Sequence, residues 1–589
     1  MTRPRIEPDL RLGRQRLRLV GGVFALALLT LALRVVDLAL WRGDAGIGSE
    51  ARADAIDSRH RADIVDRNGT LLATDYPTPS VYADPVLVLD PKSAATALAG
   101  ALKGSDPADL LAKLEQPRRF VWLKRQITDD EERAVIRLGL PGIGFRTERH
   151  RIYPQGALVA HLVGYVGIEN QGLAGVESSF DGRLTDSDQR QTPLVLTVDL
   201  GVQEVVRSEL KAARARFAAK GAAGLVLDVA SGELMAGVSL PDFDPNRYQE
   251  ASADALFSRV TLGTYELGSL FKLFTVAMAL DAGAVDLSTS LDATLPLQFG
   301  RFRIGDDHAR RRWLSVPEVI AFSSNIGAAR MAMALGTEAQ VNYFRRFGLL
   351  DRHPIRLPEV ALPQQPARWR PINTVTAAYG HGIAISPLQM ADAVSAIVCT
   401  APRPRAHVVA EGVRAAWDRP LVSPETSAKL RWLMWLTVTE GTGKLAKVPG
   451  YLIGGKTGSA DKPVGGHYRS GGLISSFIAV FPIDQPRYVV LVTLDDPKGD
   501  ADSFGLAEGG WTAAPTVGRI ISRIGPLLGL PPVDPDAERW FRDRLVEGEA
   551  HNGRTGRTEP SFKAAAGVRW VDDSRGEAGC GCAPCSVLG

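Results

Sequence analysis

The stretch YELGSLFKLFTVAMAL, residues 265–280, predicts a helix that is buried on all sides, because almost every residue after Ser269 is apolar. Ser269, Lys272 and Thr275 interrupt this pattern at a spacing of three and therefore share one face of the helix. Desolvation is expected to lower the pKa of Lys272, which makes it a candidate proton acceptor at neutral pH. Ser269 is then a candidate nucleophile, since a serine and a lysine base one turn apart suffice for acyl transfer.

Two further motifs follow this helix along the chain. The pattern Ser-x-x-Lys is weak evidence by itself, because it also occurs at Ser208 and Ser459. Its significance comes from Ser323-Ser324-Asn325 in AFSSNIGAARMA and from Lys456-Thr457-Gly458-Ser459 in YLIGGKTGSA. Ser-x-x-Lys, Ser-x-Asn and Lys-Thr-Gly in this order form a set shared by penicillin-binding proteins and serine β-lactamases.

The side chains of the second and third motifs suit an acyl-transfer site. We expect Ser323 and Asn325 to extend the hydrogen-bond network around Lys272 and to hold the amide of a substrate. Lys456 would supply positive charge on the opposite wall of the cleft. The alternative is purely structural, with a helix-capping serine at position 323 and a surface lysine at position 456.

The segment after Lys456 predicts the wall that binds the substrate. Thr457 and Ser459 alternate along a strand, which places both hydroxyls on one side, where they can meet a terminal carboxylate. Together with Gly458 they form the predicted substrate-binding and oxyanion segment. The backbone N–H groups of Ser269 and Ser459 are the expected oxyanion hole. A glycine-rich turn at position 458 is the structural alternative.

The sequence around these motifs predicts an α+β domain on an antiparallel sheet. GLVLDVASGELMAGVSL (residues 224–240) predicts a strand, a Ser-Gly turn and a second strand. LISSFIAVF (473–481) and RYVVLVTLD (487–495) predict two more strands, and APTVGRIISRIGPLL (514–528) predicts a helix. Strand pairs separated by helices and followed by a closing helix are typical of this class.

The N-terminus predicts a membrane anchor. Six arginines precede an apolar run without charge from Leu19 to Leu33, and basic residues on this side place the rest of the chain outside the cytoplasm. The run is short for a membrane span, so we expect the helix to continue to Trp41. A cleaved signal peptide is the alternative.

The composition and the absence of certain motifs argue against several other functional classes of protein. The chain has 69 Lys and Arg against 66 Asp and Glu, and its charge of +3 gives no field that would attract nucleic acid. Three of the four cysteines, Cys580, Cys582 and Cys585, crowd into the tail without a nearby His, so we expect no metal site and no cofactor. No Gly-x-Ser-x-Gly or His-Glu-x-x-His motif occurs, which argues against a His-based hydrolase or a zinc protease. His381 is interpreted as a residue that bonds local backbone.

The chain resembles the class B penicillin-binding proteins, which are monofunctional peptidoglycan transpeptidases, over about residues 15–530. Segments similar to other landmarks of this family are residues 61–69, 151–156, 172–177, 242–246 and 380–389. Three positions depart from the family pattern: Ala62 stands where Gly is usual, Leu267 where Pro is usual, and Ser459 where Thr is usual. We expect the last two to be tolerated, because Ser459 keeps a hydroxyl and the backbone N–H is unaffected.

The resemblance implies a fold and a domain order. The catalytic domain would be a penicillin-binding and serine β-lactamase-like transpeptidase domain, with a five-stranded antiparallel sheet covered by helices on both sides. A single transmembrane helix and an elongated mixed α/β pedestal would precede it. The implied divisions are a basic cytoplasmic segment (1–18), the transmembrane helix (19–41), the periplasmic pedestal or dimerisation domain (42–193), the transpeptidase domain (194–532) and a largely unstructured tail (533–589).

The resemblance also implies an activity. Ser269 would attack the penultimate carbonyl of a peptidoglycan stem peptide that ends in D-Ala-D-Ala, Lys272 would take its proton, and an amine from a neighbouring stem would form the crosslink. β-Lactams would acylate the same serine. The chain looks most like the septal, FtsI-type branch, which implies the inner membrane, a multi-spanning septal glycosyltransferase and other division proteins as partners.

Three other functions stay open at this stage. An elongation-type transpeptidase would carry the same motifs. A β-lactam receptor or septal scaffold would be acylated with little turnover and would serve mainly to bind partners. An anchored β-lactamase would need a group that activates water against the acyl-enzyme, and no suitably placed Glu is evident in the sequence.

Overall fold

The computed structural model describes Leu26 and residues 28–30, 60–300, 302–412, 414–464 and 467–533 of the 589-residue chain. The predicted cytoplasmic segment (1–18) and the predicted tail beyond residue 533 lie outside the described residues. Of the predicted membrane helix (19–41), only Leu26 and residues 28–30 are described, and they are helical. Within the described part of the chain, no helix is both long enough and apolar enough to cross a membrane.

The N-terminal region, residues 60–196, is built on one mixed sheet. Its strands are β1 (Ile64–Val65), β2 (Leu71–Ala83), β3 (Val121–Lys124), β4 (Ile143–Ile152) and β5 (Leu194–Val195). The long β2 pairs antiparallel with β1, β3 and β4, and β1 pairs parallel with β5. Residues 194 and 195, predicted to begin the second domain, thus pair with the N-terminal sheet.

A tight turn lies between β1 and β2 near the start of this region. One carboxylate oxygen of Asp66 accepts hydrogen bonds from the N–H groups of Asn68 (2.9 Å) and Thr70 (2.7 Å). Gly69 adopts a φ of 85°, the left-handed conformation that a tight turn needs and that glycine tolerates. The turn therefore joins β1 and β2 into an antiparallel hairpin.

Short helices cover the sheet of the N-terminal region. They are α1 (Pro91–Ala101), α2 (Pro107–Leu114), α3 (Asp129–Leu138), α4 (Ala160–Val163), α5 (Gly175–Ser179) and α6 (Asp181–Thr185), with 3₁₀ turns at Pro85–Leu87 and Gly156–Val159. Asp90 and Asp106 accept hydrogen bonds from first-turn N–H groups of α1 and α2, and a proline follows each of them. These are the expected signals for a helix start, since the aspartate pairs amides that have no partner within the helix.

The C-terminal region, residues 197–533, is organised around a five-stranded sheet. Its strands are β6 (Gly221–Asp228), β7 (Leu234–Leu240), β8 (Ser290–Asp292), β9 (Leu297–Phe299), β10 (Phe302–Ile304), β11 (Trp313–Ser315), β12 (Arg403–Pro404), β13 (Ala416–Trp417), β14 (Gly454–Val464), β15 (His467–Phe481) and β16 (Tyr488–Asp495). The main sheet has the order β14-β15-β16-β6-β7 and is antiparallel throughout. The shorter strands form two-stranded pairs outside it.

The helices of the C-terminal region lie on and around this sheet. They are α7 (Leu200–Arg216), α8 (Ala253–Leu256), α9 (Lys272–Asp281), α10 (Val316–Ala321), α11 (Asn325–Leu335), α12 (Thr337–Arg346), α13 (Pro371–Ala377), α14 (Pro387–Val398), α15 (Pro424–Thr439) and α16 (Ala513–Leu527), with 3₁₀ turns at Pro245–Glu250, Gly268–Phe271 and Lys444–Ala446. α7 and α16 contact one face, and α14 and α15 contact the other. The predicted α+β class, with an antiparallel sheet between helical layers, is confirmed.

Two hydrophobic cores lie on opposite faces of the sheet. Along β6, Leu225 and Leu227 belong to the core that includes α9 and α14, whereas Val226 belongs to the core that includes α7 and α16. The same alternation occurs on β16, where Leu491 and Val492 enter different cores. Side chains alternate across a strand, so near-continuous apolar runs such as RYVVLVTLD are buried on both faces.

The helix predicted from residues 265–280 lies within the larger core. The segment Gly268–Phe271 forms a 3₁₀ turn, and α9 begins at Lys272. Every residue from 272 to 280 is buried, as the apolar composition predicts. The fold therefore buries Lys272 completely and leaves Ser269 partly exposed at the end of the helix.

Candidate active site

Ser269 lies in the 3₁₀ turn that leads into α9, directly beside β14. Gly268 has a φ of 53°, and a Cβ atom at this position would lie 2.3 Å from the carbonyl oxygen of Ser459. A Cβ atom on Gly458 would lie 2.4 Å from the carbonyl oxygen of Leu267. Two glycines therefore allow the turn and β14 to meet backbone against backbone, which places Ser269 next to the Lys-Thr-Gly segment.

Lys272 is the hydrogen-bond centre of the site. Its Nζ lies 3.0 Å from Ser269 Oγ, 2.5 Å from the carbonyl oxygen of Ser323 and 2.7 Å from Asn325 Oδ1. The side chain is fully buried, and this desolvation lowers the pKa of Lys272 to about 7, against the opposing charges of Asp306 and Asp307. A substantial fraction of the amine is therefore neutral at physiological pH.

The partners of Lys272 match a neutral amine. The carbonyl oxygen of Ser323 can only accept a hydrogen bond. Asn325 Nδ2 donates to the carbonyl oxygen of Gly305 at 3.1 Å, so the amide oxygen of Asn325 faces Lys272 and also accepts. These two acceptors use the two N–H groups of a neutral lysine, so its lone pair can accept a hydroxyl proton from Ser269 or from Ser323, whose Oγ atoms both lie within hydrogen-bond distance.

Ser323 connects the two lysines of the site. Its Oγ lies 3.1 Å from Lys272 Nζ and 2.9 Å from Lys456 Nζ. The residue has a φ of 60°, an uncommon left-handed conformation for a residue with a side chain. Desolvation, and secondarily the charge of Lys272, lower the pKa of the fully buried Lys456 well below its ordinary value. The three side chains form a continuous path along which a proton can move.

The hydroxyls of Thr457 and Ser459 form hydrogen bonds with residues outside the Lys-Thr-Gly segment. Thr457 Oγ1 lies 2.7 Å from Thr442 Oγ1, and Ser459 Oγ accepts a hydrogen bond of 3.0 Å from the N–H of Gly509. A Cβ atom on Gly509 would lie 2.7 Å from the carbonyl oxygen of Gly458. The loop that contains Gly509 thus packs closely against this part of β14.

The structure brings together all eight residues predicted for the site: Ser269, Lys272, Ser323, Asn325, Lys456, Thr457, Gly458 and Ser459. Their roles in catalysis remain predictions. Thr275, on the predicted face of the same helix, lies outside this network and donates to the carbonyl oxygen of Ala378 at 2.7 Å.

Sequence reasoning missed several residues that support the site. Glu266 Oε1 accepts a hydrogen bond of 3.0 Å from the N–H of Gly382, and its Oε2 lies 3.4 Å from His381 Nδ1. Gly380 has a φ of 82°, and a Cβ atom there would lie 2.2 Å from the carbonyl oxygen of Gly268. The Gly-His-Gly sequence was the available signal, because glycines that flank a polar residue often mark a close backbone approach.

Comparison with known proteins agrees with this geometry. Residues 222–522 match the penicillin binding protein transpeptidase domain, and residues 57–192 match the penicillin-binding protein dimerisation domain. The chain is similar to the "Probable peptidoglycan D,D-transpeptidase FtsI" of Caulobacter vibrioides, with 39% identity over 482 residues that cover 80% of this chain and 82% of the relative.

A second relative and a solved structure extend the comparison. Peptidoglycan D,D-transpeptidase FtsI of Escherichia coli K12 is 31% identical over 540 residues, which cover 85% of this chain and 89% of the relative. The crystal structure of penicillin binding protein 3 from Mycobacterium tuberculosis, complexed with aztreonam, has a TM-score of 0.63 and 23% identity, covering 81% of this chain and 98% of that one. The latter likeness establishes the fold.

Proposed function

This chain belongs to the class B penicillin-binding proteins and is a serine-type peptidoglycan D,D-transpeptidase, and on that premise we propose that Ser269 is its nucleophile and Lys272 its base. The observation that carries the proposal is the 3.0 Å contact between Lys272 Nζ and Ser269 Oγ. Burial keeps much of this amine neutral near pH 7, and its other acceptors leave a lone pair for the hydroxyl.

The first half of the reaction is acylation. Ser269 Oγ attacks the penultimate carbonyl carbon of a stem peptide that ends in D-Ala-D-Ala, while its proton passes to Lys272 Nζ. The C–N bond then breaks, the terminal D-Ala nitrogen takes up a proton, and D-Ala leaves. Ser323, between Lys272 and Lys456, supplies the route by which that proton reaches the leaving nitrogen.

The second half resolves the acyl-enzyme. An amine from a neighbouring stem peptide attacks the ester carbon and loses a proton to Lys272, and the C–O bond to Ser269 breaks as Oγ recovers a proton. The amide formed is the crosslink. We assign the oxyanion hole to the N–H groups of Ser269 and Ser459, and the contact with the substrate carboxylate to Thr457 and Ser459. The close approach of Gly268 to Ser459 supports this assignment.

The finer biological role is also part of the proposal. The FtsI names of two relatives support a role in septal crosslinking, with a multi-spanning glycosyltransferase and other division proteins as partners. The basic flank before the apolar run from Leu19 supports an inner-membrane anchor with the catalytic domain in the periplasm. In this scheme residues 42–193 are the pedestal and residues 194–532 the transpeptidase domain. β-Lactams acylate Ser269, because their strained amide resembles the dipeptide substrate.

The test is acylation followed by intact mass. The full chain in detergent is incubated with a penicillin, and the mass is followed over hours for the wild type, Ser269→Ala and Ser208→Ala. Ser208 is the matched control, because it begins another Ser-x-x-Lys but its half-buried hydroxyl donates to the carbonyl oxygen of Val205 (3.1 Å) and accepts from Arg523 (3.0 Å).

The expected result is a persistent adduct in the wild type and in Ser208→Ala, and no adduct in Ser269→Ala. Rapid release of hydrolysed drug would favour a β-lactamase. An adduct without crosslinking of stem peptides would favour a receptor or scaffold. No adduct in folded wild-type protein would overturn the assignment of Ser269.

A further inference from the structure

The loop between β10 and β11 forms hydrogen bonds with the Ser-x-Asn motif and the start of α11. Asp306, in this loop, accepts a hydrogen bond of 2.8 Å from Ser324 Oγ and another of 2.9 Å from the N–H of Ile326. The two bonds use both carboxylate oxygens and hold the residues on either side of Asn325. Next to Asp306, the carbonyl oxygen of Gly305 accepts from Asn325 Nδ2 at 3.1 Å. Two consecutive loop residues thus hold three consecutive residues of the motif.

This contact bears on the orientation of the catalytic groups. Ser324 caps the N-terminus of α11, and its Oγ accepts a hydrogen bond of 3.0 Å from the N–H of Gly327. Ser323, immediately before it, is held in a left-handed conformation, which costs free energy unless neighbouring contacts enforce it. The bonds to Asp306 supply such contacts one residue away. If they are lost, the carbonyl oxygen of Ser323 and the amide of Asn325 are free to move relative to Lys272.

Asp306 also acts on Lys272 through its charge. Among the described residues, the charged groups that raise the pKa of Lys272 are Asp306 and Asp307 in this loop, and the charge of Lys272 in turn lowers the pKa of Lys456 on β14. The two aspartates favour the protonated amine, whereas burial favours the neutral one. Asp307 is exposed and forms no side-chain hydrogen bond within the described part of the chain, so it contributes charge without positioning.

We propose that Asp306 is a positioning residue for the transpeptidase reaction, because its bonds to Ser324 and Ile326 hold the catalytic groups of the Ser-x-Asn motif against Lys272. The inference rests on the proposed roles of Ser269 and Lys272. It assigns to one carboxylate the geometry of the Ser-x-Asn motif.

The test is the second-order rate constant for acylation by a fluorescent penicillin, measured against pH on the full chain. Asp306→Ala removes both bonds and the charge, and we expect the high-pH plateau to fall about 10- to 100-fold, because small misplacements of catalytic groups are costly. Asp306→Asn keeps an acceptor for Ile326, and we expect the midpoint of the profile to move to lower pH. Asp307→Asn is the matched control, with a midpoint shift in the same direction and an unchanged plateau.

Ser324→Ala removes the hydrogen bond between Ser324 and Asp306 while Asp306 keeps its charge. This variant replaces Asp306→Ala in the test if Asp306→Ala does not fold. It should lower the plateau and leave the midpoint of the profile in place, because the charge is retained. A high-pH plateau equal to that of the wild type in folded Asp306→Ala would overturn the inference, as would identical profiles for Asp306→Ala and Asp307→Asn. Wild-type protein that is not acylated at all would overturn the proposed function itself, so the two failures are distinguishable.

Discussion

The carbonyl oxygen of Ser459 leaves no room for a side chain on Gly268, because a Cβ atom there would lie only 2.3 Å away. The nucleophile turn and β14 therefore touch through their backbones. Position 268 precedes the proposed nucleophile, and Ser459 carries one of the proposed oxyanion donors. The separation between these two groups is set at this contact, so an added side chain at position 268 is expected to disturb it directly.

Gly268→Ala is expected to lower the rate constant for acylation by about 100-fold or more, since the added methyl group pushes Ser269 away from β14. Gly283→Ala is the matched control. Gly283 follows the same helix with a φ of 67° and has open space around its Cβ position. Gly283→Ala should therefore lower the free energy of unfolding by only about 1–2 kcal/mol, which is the cost of the left-handed conformation for alanine. Stopped-flow acylation and thermal melts distinguish the two effects, and a normal acylation rate in Gly268→Ala would contradict the explanation.

Lys272 is expected to give acylation a pH dependence centred near pH 7. Burial lowers the pKa of Lys272 to about 7, and the neutral amine is the active form, so the rate should rise through this pH and fall about tenfold per unit below it. Lys272→Arg stays protonated and should lose about 10²- to 10⁴-fold at every pH. Lys211→Arg, in the unrelated Ser208-x-x-Lys motif, should retain the wild-type profile. A profile of the wild type that is flat across neutrality would rule out Lys272 as the base.

Ser459→Ala is expected to affect stability as well as acylation. The substitution removes the acceptor for the N–H of the buried Gly509, and a buried donor without a partner costs about 1–3 kcal/mol. Ser459→Thr keeps the hydroxyl and should behave like the wild type. Urea unfolding and acylation rates on the three proteins provide the check. Equal stability of the alanine and threonine variants would show that this hydrogen bond contributes little.

Glu177→Gln is expected to destabilise the N-terminal region strongly. Glu177 is fully buried and accepts hydrogen bonds from Arg61 Nε (2.8 Å) and Arg151 Nε (2.7 Å). Removing the charge of one partner from such a buried group typically costs about 3–5 kcal/mol. Glu425→Gln is the control, because the Glu425 side chain is 70% exposed and its ion pair with Lys429 should contribute about 0.5 kcal/mol or less. Urea unfolding should show the larger loss only for Glu177→Gln.

The arrangement around Glu177 also shows why separate sequence motifs belong together. Arg61, Arg151 and Glu177 lie in three segments that resemble family landmarks, and no local rule relates them. In the structure they form one buried ion-pair cluster. A buried charge without a partner is strongly destabilising, so these three side chains can be buried only as a paired cluster. The three segments must therefore come together in the folded protein.

Much of the fold and part of the site follow from the sequence alone. Ser269 and Lys272 are three residues apart at the start of a helix, and helical geometry places such residues side by side whatever surrounds them. The apolar runs of β15 and β16 likewise predict buried strands, because burial on both faces requires apolar residues at every position. These predictions depend on local periodicity, which the chain carries in its own residue order.

The tertiary structure decided the remainder. Lys456 Nζ lies 2.9 Å from Ser323 Oγ across 133 residues of chain, and no periodicity in the sequence specifies that distance. The left-handed φ of Ser323 and the contacts of Asp306, Glu266 and Gly509 depend on how loops pack against the site, and loops carry no repeating apolar pattern. The depressed pKa of Lys272 has the same origin, because desolvation exists only once the surrounding helices and β14 have enclosed the amine.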